Sequence, residues 1–258
     1  MTTFVSTPDG RRWMLLLMLA LVLAALVLFM RELEPFFAEA FPRLDTPVYK
    51  RETFLNLTLD HILLVLVSSA ISIGVGVTAG IFVTRRTGQE FEPMVSALSA
   101  IGQTFPPAAV LAIVVPLAGF GFVPTIVALT LYGLLPVVQN TIAGLRTVSP
   151  AAVEAARGTG MSRWQVLFKV ELPLAMRVII AGVRVSVIIN IGTATIGSTV
   201  GAQSLGTPII AGLVGDNIAY VIQGATVVGL LAIVTDLTFE RLEHRFTFGA
   251  PATEEAAP

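Results

Sequence analysis

The residues of this chain that could do chemistry are few and poorly spaced for it. His61 and His244 are the only histidines, too far apart in sequence to suggest a metal site by themselves. Cysteine is absent, which removes disulfides, iron–sulfur clusters and thiol catalysis. Neither lysine, Lys50 nor Lys169, follows a glycine, so no G-x-x-x-x-G-K-[ST] phosphate loop exists. G-x-S-x-G and H-E-x-x-H are missing too, and no pair of acidic residues shares one apolar segment. A proton-coupled carrier usually places carboxylates at mid-membrane, and none is expected there. The chain reads as no enzyme. A pump built on it would need a separate ATPase.

What remains is one long polar passage in the second half, Ser149 to Pro173. Ser149 before Pro150 is an N-cap followed by a proline at the first helical position, predicting a helix over Ala151–Arg157. Gly158 and Gly160 are expected to stop it, glycine being the residue for a left-handed C-terminal position. Ser162 with Gln165 three residues on forms a capping-box pattern that restarts a helix, and Pro173 is expected to end it. Arg157, Arg163, Lys169 and Arg177 make the passage basic. A compact, basic loop of this kind reads as a docking surface.

Composition places that loop in a membrane protein. The chain of 258 residues is 55% hydrophobic and 13% charged, about half the charge of a soluble domain, and its mean hydropathy is +0.84. A net charge of −1 argues against nucleic acid as a partner. Six spans are predicted: Trp13–Met30, Leu59–Val83, Met94–Leu117, Pro124–Leu145, Val178–Val200 and Ile218–Phe239, each near the ~20 residues a bilayer core requires. Ala38-Glu39-Ala40 resembles a signal cleavage site, but the preceding apolar run exceeds a signal core, so residues 13–30 are read as a span while cleavage within 1–40 stays open. Residues 31–56 read as a mixed-charge exterior loop, Gly201–Asn217 as an exterior segment apolar enough to dip back, and Pro251–Pro258 as a disordered tail. Arg31, Arg43, Lys50 and Arg51 fall outside, whereas the other twelve cations lie at the interior ends or loops, so both termini are cytoplasmic.

Several polar residues inside spans could line a route. Pro106-Pro107 interrupts the third span as a break along a pathway or as a packing kink, and Gln103 and Thr104 lie beside it. Asn190, Thr193, Thr195, Ser198 and Thr199 make the fifth span more polar than packing needs. The G-x-x-x-G pairs Gly76/Gly80 and Gly197/Gly201 read as helix contacts. Arg184 reads as snorkelling to the interface, and Asp60, His61 and Asp236 as solvated span ends.

The Ser149–Pro173 passage resembles the signature of the membrane subunits of bacterial ATP-binding-cassette (ABC) importers, E-A-A, three residues, G, nine residues, I-x-L-P. Here it stands as Glu154-Ala155-Ala156, Gly160 and Val170-Glu171-Leu172-Pro173, with valine for isoleucine. The resemblance implies an all-α type I (MetI-like) importer fold with a transmembrane domain over residues 57–239. The segments outside it are 1–56, holding the first span and exterior loop, and a cytoplasmic tail, 240–258. It further implies a coupling helix for an ABC ATPase, with Ala155, Ala156 and Gly160 permitting close approach and Glu154 making polar contacts. ATP and magnesium would then be held by that partner and no cofactor by this chain.

Gln103–Leu145 and Asn190–Leu213 are similar to permeases for osmoprotectants such as glycine betaine, choline and carnitine. That implies a second permease subunit, identical or not, and a separate extracytoplasmic binding protein, in a bacterial inner membrane. Permeases for an amino acid or sulfonate, or a carrier working without ATP, are the competing expectations.

Overall fold

The structure is a computed structural model that describes residues 8–245; the tail expected at Pro251–Pro258 lies outside them. Along the chain run α1 (Pro8–Phe29), α2 (Glu34–Ala40), α3 (Phe54–Val83), α4 (Glu92–Thr104), α5 (Pro107–Ala118), α6 (Phe122–Arg146), α7 (Pro150–Gly158), α8 (Arg163–Val166), α9 (Leu172–Thr193), α10 (Gly206–Val214) and α11 (Ile218–Arg245). Five segments are long and apolar enough to cross a membrane: Arg12–Phe29, Phe54–Val83, Phe122–Arg146, Arg163–Val200 and Ile218–Glu243. The sixth crossing is broken, with α4 and α5 bent by 96° at Phe105-Pro106.

Contacts at the helix ends agree with the expected orientation. On the cytoplasmic side Arg146, at the end of α6, pairs with Glu92 at the start of α4 at 2.5 Å. Arg12 of α1 meets Glu240 of α11 at 3.3 Å. At the opposite end the Gly121 N–H, in the α5–α6 turn, donates to the Val200 carbonyl at 2.7 Å. The bent α4–α5 pair therefore runs from one side to the other.

Packing among α3, α6 and α9 holds the centre together. Gly76 and Gly80 bring α3 against α6 so closely that a Cβ at either would lie 2.8 Å from Val137 or 2.6 Å from Thr141, the contact expected of small residues in a membrane bundle. The second glycine pair divides its work. Gly197 packs on Thr125 of α6, whereas Gly201 takes a φ of +82° to close the 3₁₀ stretch Ala194–Val200.

Polar side chains add fixed joints. The Asn190 amide donates to Ser69 Oγ at 3.0 Å and Ser68 Oγ at 3.4 Å. Ser72 donates to the Thr130 carbonyl at 2.9 Å, and His61 Nε2 lies 3.0 Å from the Ile191 carbonyl.

Several expectations need correction. The exterior loop 31–56 contains α2, and its later part is docked rather than free. Gln223 of α11 donates to the Pro47 carbonyl at 2.7 Å and accepts the Tyr49 N–H at 3.1 Å, while Asn217 donates to the Thr46 carbonyl at 2.9 Å. Val48 and Tyr49 are consequently buried.

His61 is no solvated cap, because α3 begins at Phe54 and carries it two turns into the bundle, where it is fully buried. Arg184 does not snorkel. Its guanidinium grips Asp236 of α11 through Nε at 2.5 Å and Nη2 at 2.7 Å, with Glu243 3.6 Å from Nη1. Two partly buried charges neutralise each other there, so neither needs to reach water. The apolar exterior segment forms α10, which packs on α11 through Gly212.

Removing one member of the Arg184–Asp236 pair leaves the other unpaired in a partly buried site. Arg184→Leu is expected to destabilise the protein by about 2 kcal/mol, less than for a fully buried pair. Arg184→Leu/Asp236→Leu should recover much of that loss. Thermal unfolding in detergent, followed for all three proteins, measures both effects.

Candidate coupling and transport site

The loop at 149–173 has the predicted two-helix form, with different chemistry at its joints. Ser149 occupies the N-cap position and Pro150 the first turn of α7, but the serine side chain makes no capping hydrogen bond. Gly158 is the last helical residue rather than a stop. Gly160 makes the turn, with a φ of +83°. Its N–H donates to the Arg157 carbonyl at 2.9 Å, and the Met161 N–H reaches back to the Ala156 carbonyl at 3.3 Å. This paired closure is a Schellman motif, and its left-handed residue is glycine because a Cβ there meets its own carbonyl. A Cβ at Gly160 would meet no other atom within 4 Å. Within this chain the glycine serves backbone handedness and not space.

Ser162 restarts the helix through a complete capping box, accepting the Gln165 N–H at 3.3 Å while Gln165 Oε1 accepts the Ser162 N–H at 2.8 Å. Pro173 does not end that helix. Leu167–Glu171 forms a π-turn, in which the Leu172 N–H bonds the Leu167 carbonyl five residues back, and α9 continues through Pro173. Proline removes one donor and crowds the carbonyl four residues earlier, and the wider turn accommodates both defects. The second half of the docking loop and the fifth span are therefore one continuous helical segment from Arg163 to Val200.

The motif residues separate by exposure. Glu154 and Ala155 are exposed, whereas Ala156 is buried. Leu172 packs on the apolar cluster of Leu145, Leu167, Ala175 and Ile179, and Pro173 is exposed. Trp164 and Phe168 stand outward, stacked with centroids 6.0 Å apart, while Leu167 turns inward away from them.

The residues expected along a pathway make separate local contacts in this chain. Gln103 takes part in the bundle's own hydrogen bonding. Pro136, inside α6, cannot donate to the Tyr132 carbonyl, and Gln103 Nε2 supplies the missing hydrogen bond at 3.0 Å. The Tyr132 hydroxyl in turn donates to the Phe105 carbonyl at the α4–α5 break, where Pro106 is exposed and Pro107 half-buried. Asn190 is drawn into the bundle by Ser68 and Ser69, and Ser198 bonds Ser204 at 2.9 Å and Thr207 at 3.2 Å. Thr195 donates to its own Gly192 carbonyl at 2.7 Å. Thr193 and Thr195 remain half-buried.

Clefts instead open at the exterior ends. One of about 280 Å³ is lined by Asp60, Leu63, Phe122 and Gly201–Gln203, and another of about 400 Å³ by Thr46, Val48, Lys50, Arg51 and Tyr220. Among the described residues no group of three or more potential ligands could hold a metal.

A broken six-crossing bundle, with a structured cytoplasmic loop continuous with its fifth span, is the architecture of an importer's membrane subunit. The family described as "Binding-protein-dependent transport system inner membrane component" matches residues 76–248, and the chain belongs to it. It is thus a multi-pass inner-membrane permease component.

Among curated relatives, the osmoprotectant import permease protein OsmY of Salmonella typhimurium is 39% identical, over 75% of this chain and 82% of that protein. The carnitine transport permease protein OpuCB of Listeria monocytogenes is 37% identical, covering 74% and 86%. The choline transport system permease protein OpuBB of Bacillus subtilis is 39% identical, covering 74% and 87%. A solved structure of the inward-facing MetNI methionine ABC transporter shares the fold, with a TM-score of 0.67 at 21% identity over 75% of this chain and 95% of that one.

Gly160→Val would force a β-branched residue into the left-handed region at a cost of about 1–2 kcal/mol. Amide hydrogen exchange is expected to rise over residues 156–163 and to stay unchanged in α3 and α6. Gly160→Asn, which tolerates that region better, should show a smaller rise.

Proposed function

We propose that this chain forms, with a second permease subunit, the transmembrane pathway of an ABC importer for small quaternary amines such as glycine betaine, choline or carnitine. The observation that carries the substrate class is the likeness to permeases named for osmoprotectants, carnitine and choline over three quarters of the chain. In this reading an extracytoplasmic binding protein delivers the solute to the exterior clefts. Two ABC ATPase subunits hold ATP and magnesium on the cytoplasmic side. Asp60 and Phe122 both line one exterior cleft, and an acidic and an aromatic residue are the types that suit a trimethylammonium group.

Coupling follows from the loop's shape. Glu154 and Ala155 are the exposed motif residues of α7, so they are the surface offered to an ATPase groove. Closure of the ATPases around ATP would displace α7, and the helix running on from Arg163 would tilt the fifth span with it. A partner biases only those states it contacts differently, which makes this loop the place where ATP energy enters.

Ala155→Arg puts a bulky charge on the proposed contact. ATPase recovered by co-purification is expected to fall about 10-fold, the effect of a buried unpaired charge at an interface, with membrane levels of the permease unchanged. Undiminished recovery would count against α7 as the contact. The substrate class is tested by uptake of radiolabelled choline into vesicles carrying the whole importer. Excess glycine betaine or carnitine should suppress uptake, and an amino acid or sulfonate should not. ATP-independent uptake would turn the assignment toward a carrier.

A further inference from the structure

Two charges outside the coupling motif's fixed letters meet at the cytoplasmic edge. Arg85 stands just beyond the end of α3, and Glu171 closes the π-turn that leads into α9. Arg85 Nη1 and Glu171 Oε2 lie 2.6 Å apart. The contact is ionic, with Glu171 Oε2 buried and without a hydrogen-bond partner. Glu171 is only 8% exposed, a burial that carboxylates rarely reach unless paired. Arg85 is itself held in a turn, its carbonyl accepting the Gly88 and Gln89 N–H groups at 2.9 Å each. Nearby lie Leu167, Ala175 and Ile179, packed with Val77 and Ile81 of α3. The burial of Glu171 keeps the pair from being fully screened.

Where this contact sits gives it a mechanical role. From Arg163 to Val200 the chain is helical without interruption, and the π-turn at Leu167–Glu171 is where it leaves the α-helical ladder before its 3₁₀ end. Such a turn can take up displacement by shifting its hydrogen-bond register, so motion of α7 and α8 could be lost there before reaching α9. The Glu171–Arg85 contact fastens this soft point to α3. Deeper in the bundle α3 and α9 are joined again, through Asn190 to Ser68 and Ser69 and through His61 to Ile191. A displacement delivered at Glu171 therefore acts on two helices already fixed to each other.

We infer that Arg85 and Glu171 are positioning residues for energy coupling, their ion pair clamping the π-turn to the end of α3 so that displacement of the Ser149–Pro173 loop moves α3 and α9 together. The inference rests on the ATPase-driven reading above and adds α3 to the path that the motion takes.

The test uses the complete importer reconstituted in vesicles, with transport and ATP hydrolysis measured on the same preparation. Arg85→Ala and Glu171→Gln are each expected to lower solute moved per ATP about 10-fold, an ordinary coupling energy, while the assembled complex is recovered in normal yield. Arg85→Lys should stay within about 3-fold of the wild type, because the charge is kept. The swap Arg85→Glu/Glu171→Arg should recover most of the loss, since the two sites act through each other. Wild-type transport per ATP in both single variants overturns the clamp. So does loss of the assembled complex in both single variants without return in the swap, which would mark a folding role instead. A wild-type complex that transports without ATP would refute the ATPase reading, a failure distinct from either of these.

Discussion

Hydrogen bonds that have no water to replace them govern the arrangement of α3, α6 and α9, and the remainder of the bundle is placed by them. In a hydrocarbon core each unpaired carbonyl or amide costs several kcal/mol, so polar atoms freed by prolines must be met by neighbours. Pro136 frees the Tyr132 carbonyl, and Gln103 answers it from α4. The Pro106 break leaves the Phe105 carbonyl, and Tyr132 answers that from α6. Two defects on two helices repair each other. A 96° bend is tolerated within the membrane for this reason, and α4 and α5 are anchored to α6 by it.

The same logic runs toward the cytoplasm. Pro173 would break a regular helix, yet the π-turn absorbs its missing donor and keeps α8 and α9 in one unbroken helical run. Continuity matters for function, because a docking loop joined to its span by flexible chain could bind a partner without moving anything. The Schellman turn at Gly160 does the corresponding work on the other side, fixing the angle between α7 and that run by two backbone hydrogen bonds. Docking surface, joint and lever are thus separate pieces of one short stretch.

Charge is used sparingly, and several of the ion pairs it makes tie the helices together. Arg184 with Asp236, Arg146 with Glu92, Arg85 with Glu171 and Arg12 with Glu240 each join helices distant in sequence. Lys50 with Glu34 ties the exterior segment to itself, at 2.7 Å. The exterior segment is ordered mainly by uncharged groups, Asn217 just before α11 and Tyr220 and Gln223 within it, because backbone carbonyls around Thr46 and Pro47 need donors once Val48 and Tyr49 are buried.

Span number, orientation and the two-helix loop were legible in the residues themselves. Apolar run length, the sidedness of arginine and the Ser162/Gln165 capping box are local signals, each complete within a few residues or a single loop. The Gly76/Gly80 contact was also readable, since small residues four apart favour a close neighbour whichever helix it is. The hydrogen-bond partners of Gln103, Asn190 and Ser198 were not readable. A polar side chain in a span suits a pathway wall or an internal bond equally well until its partner is known, and these partners lie on other helices or beyond the 3₁₀ turn. The pairing of Arg184 with Asp236 and the burial of His61 and Glu171 were hidden for the same reason. Local chemistry determined which helices form and where the loop faces, whereas only the tertiary structure decided which polar group satisfies which, because in the absence of water that depends on distance between helices and not on distance along the chain.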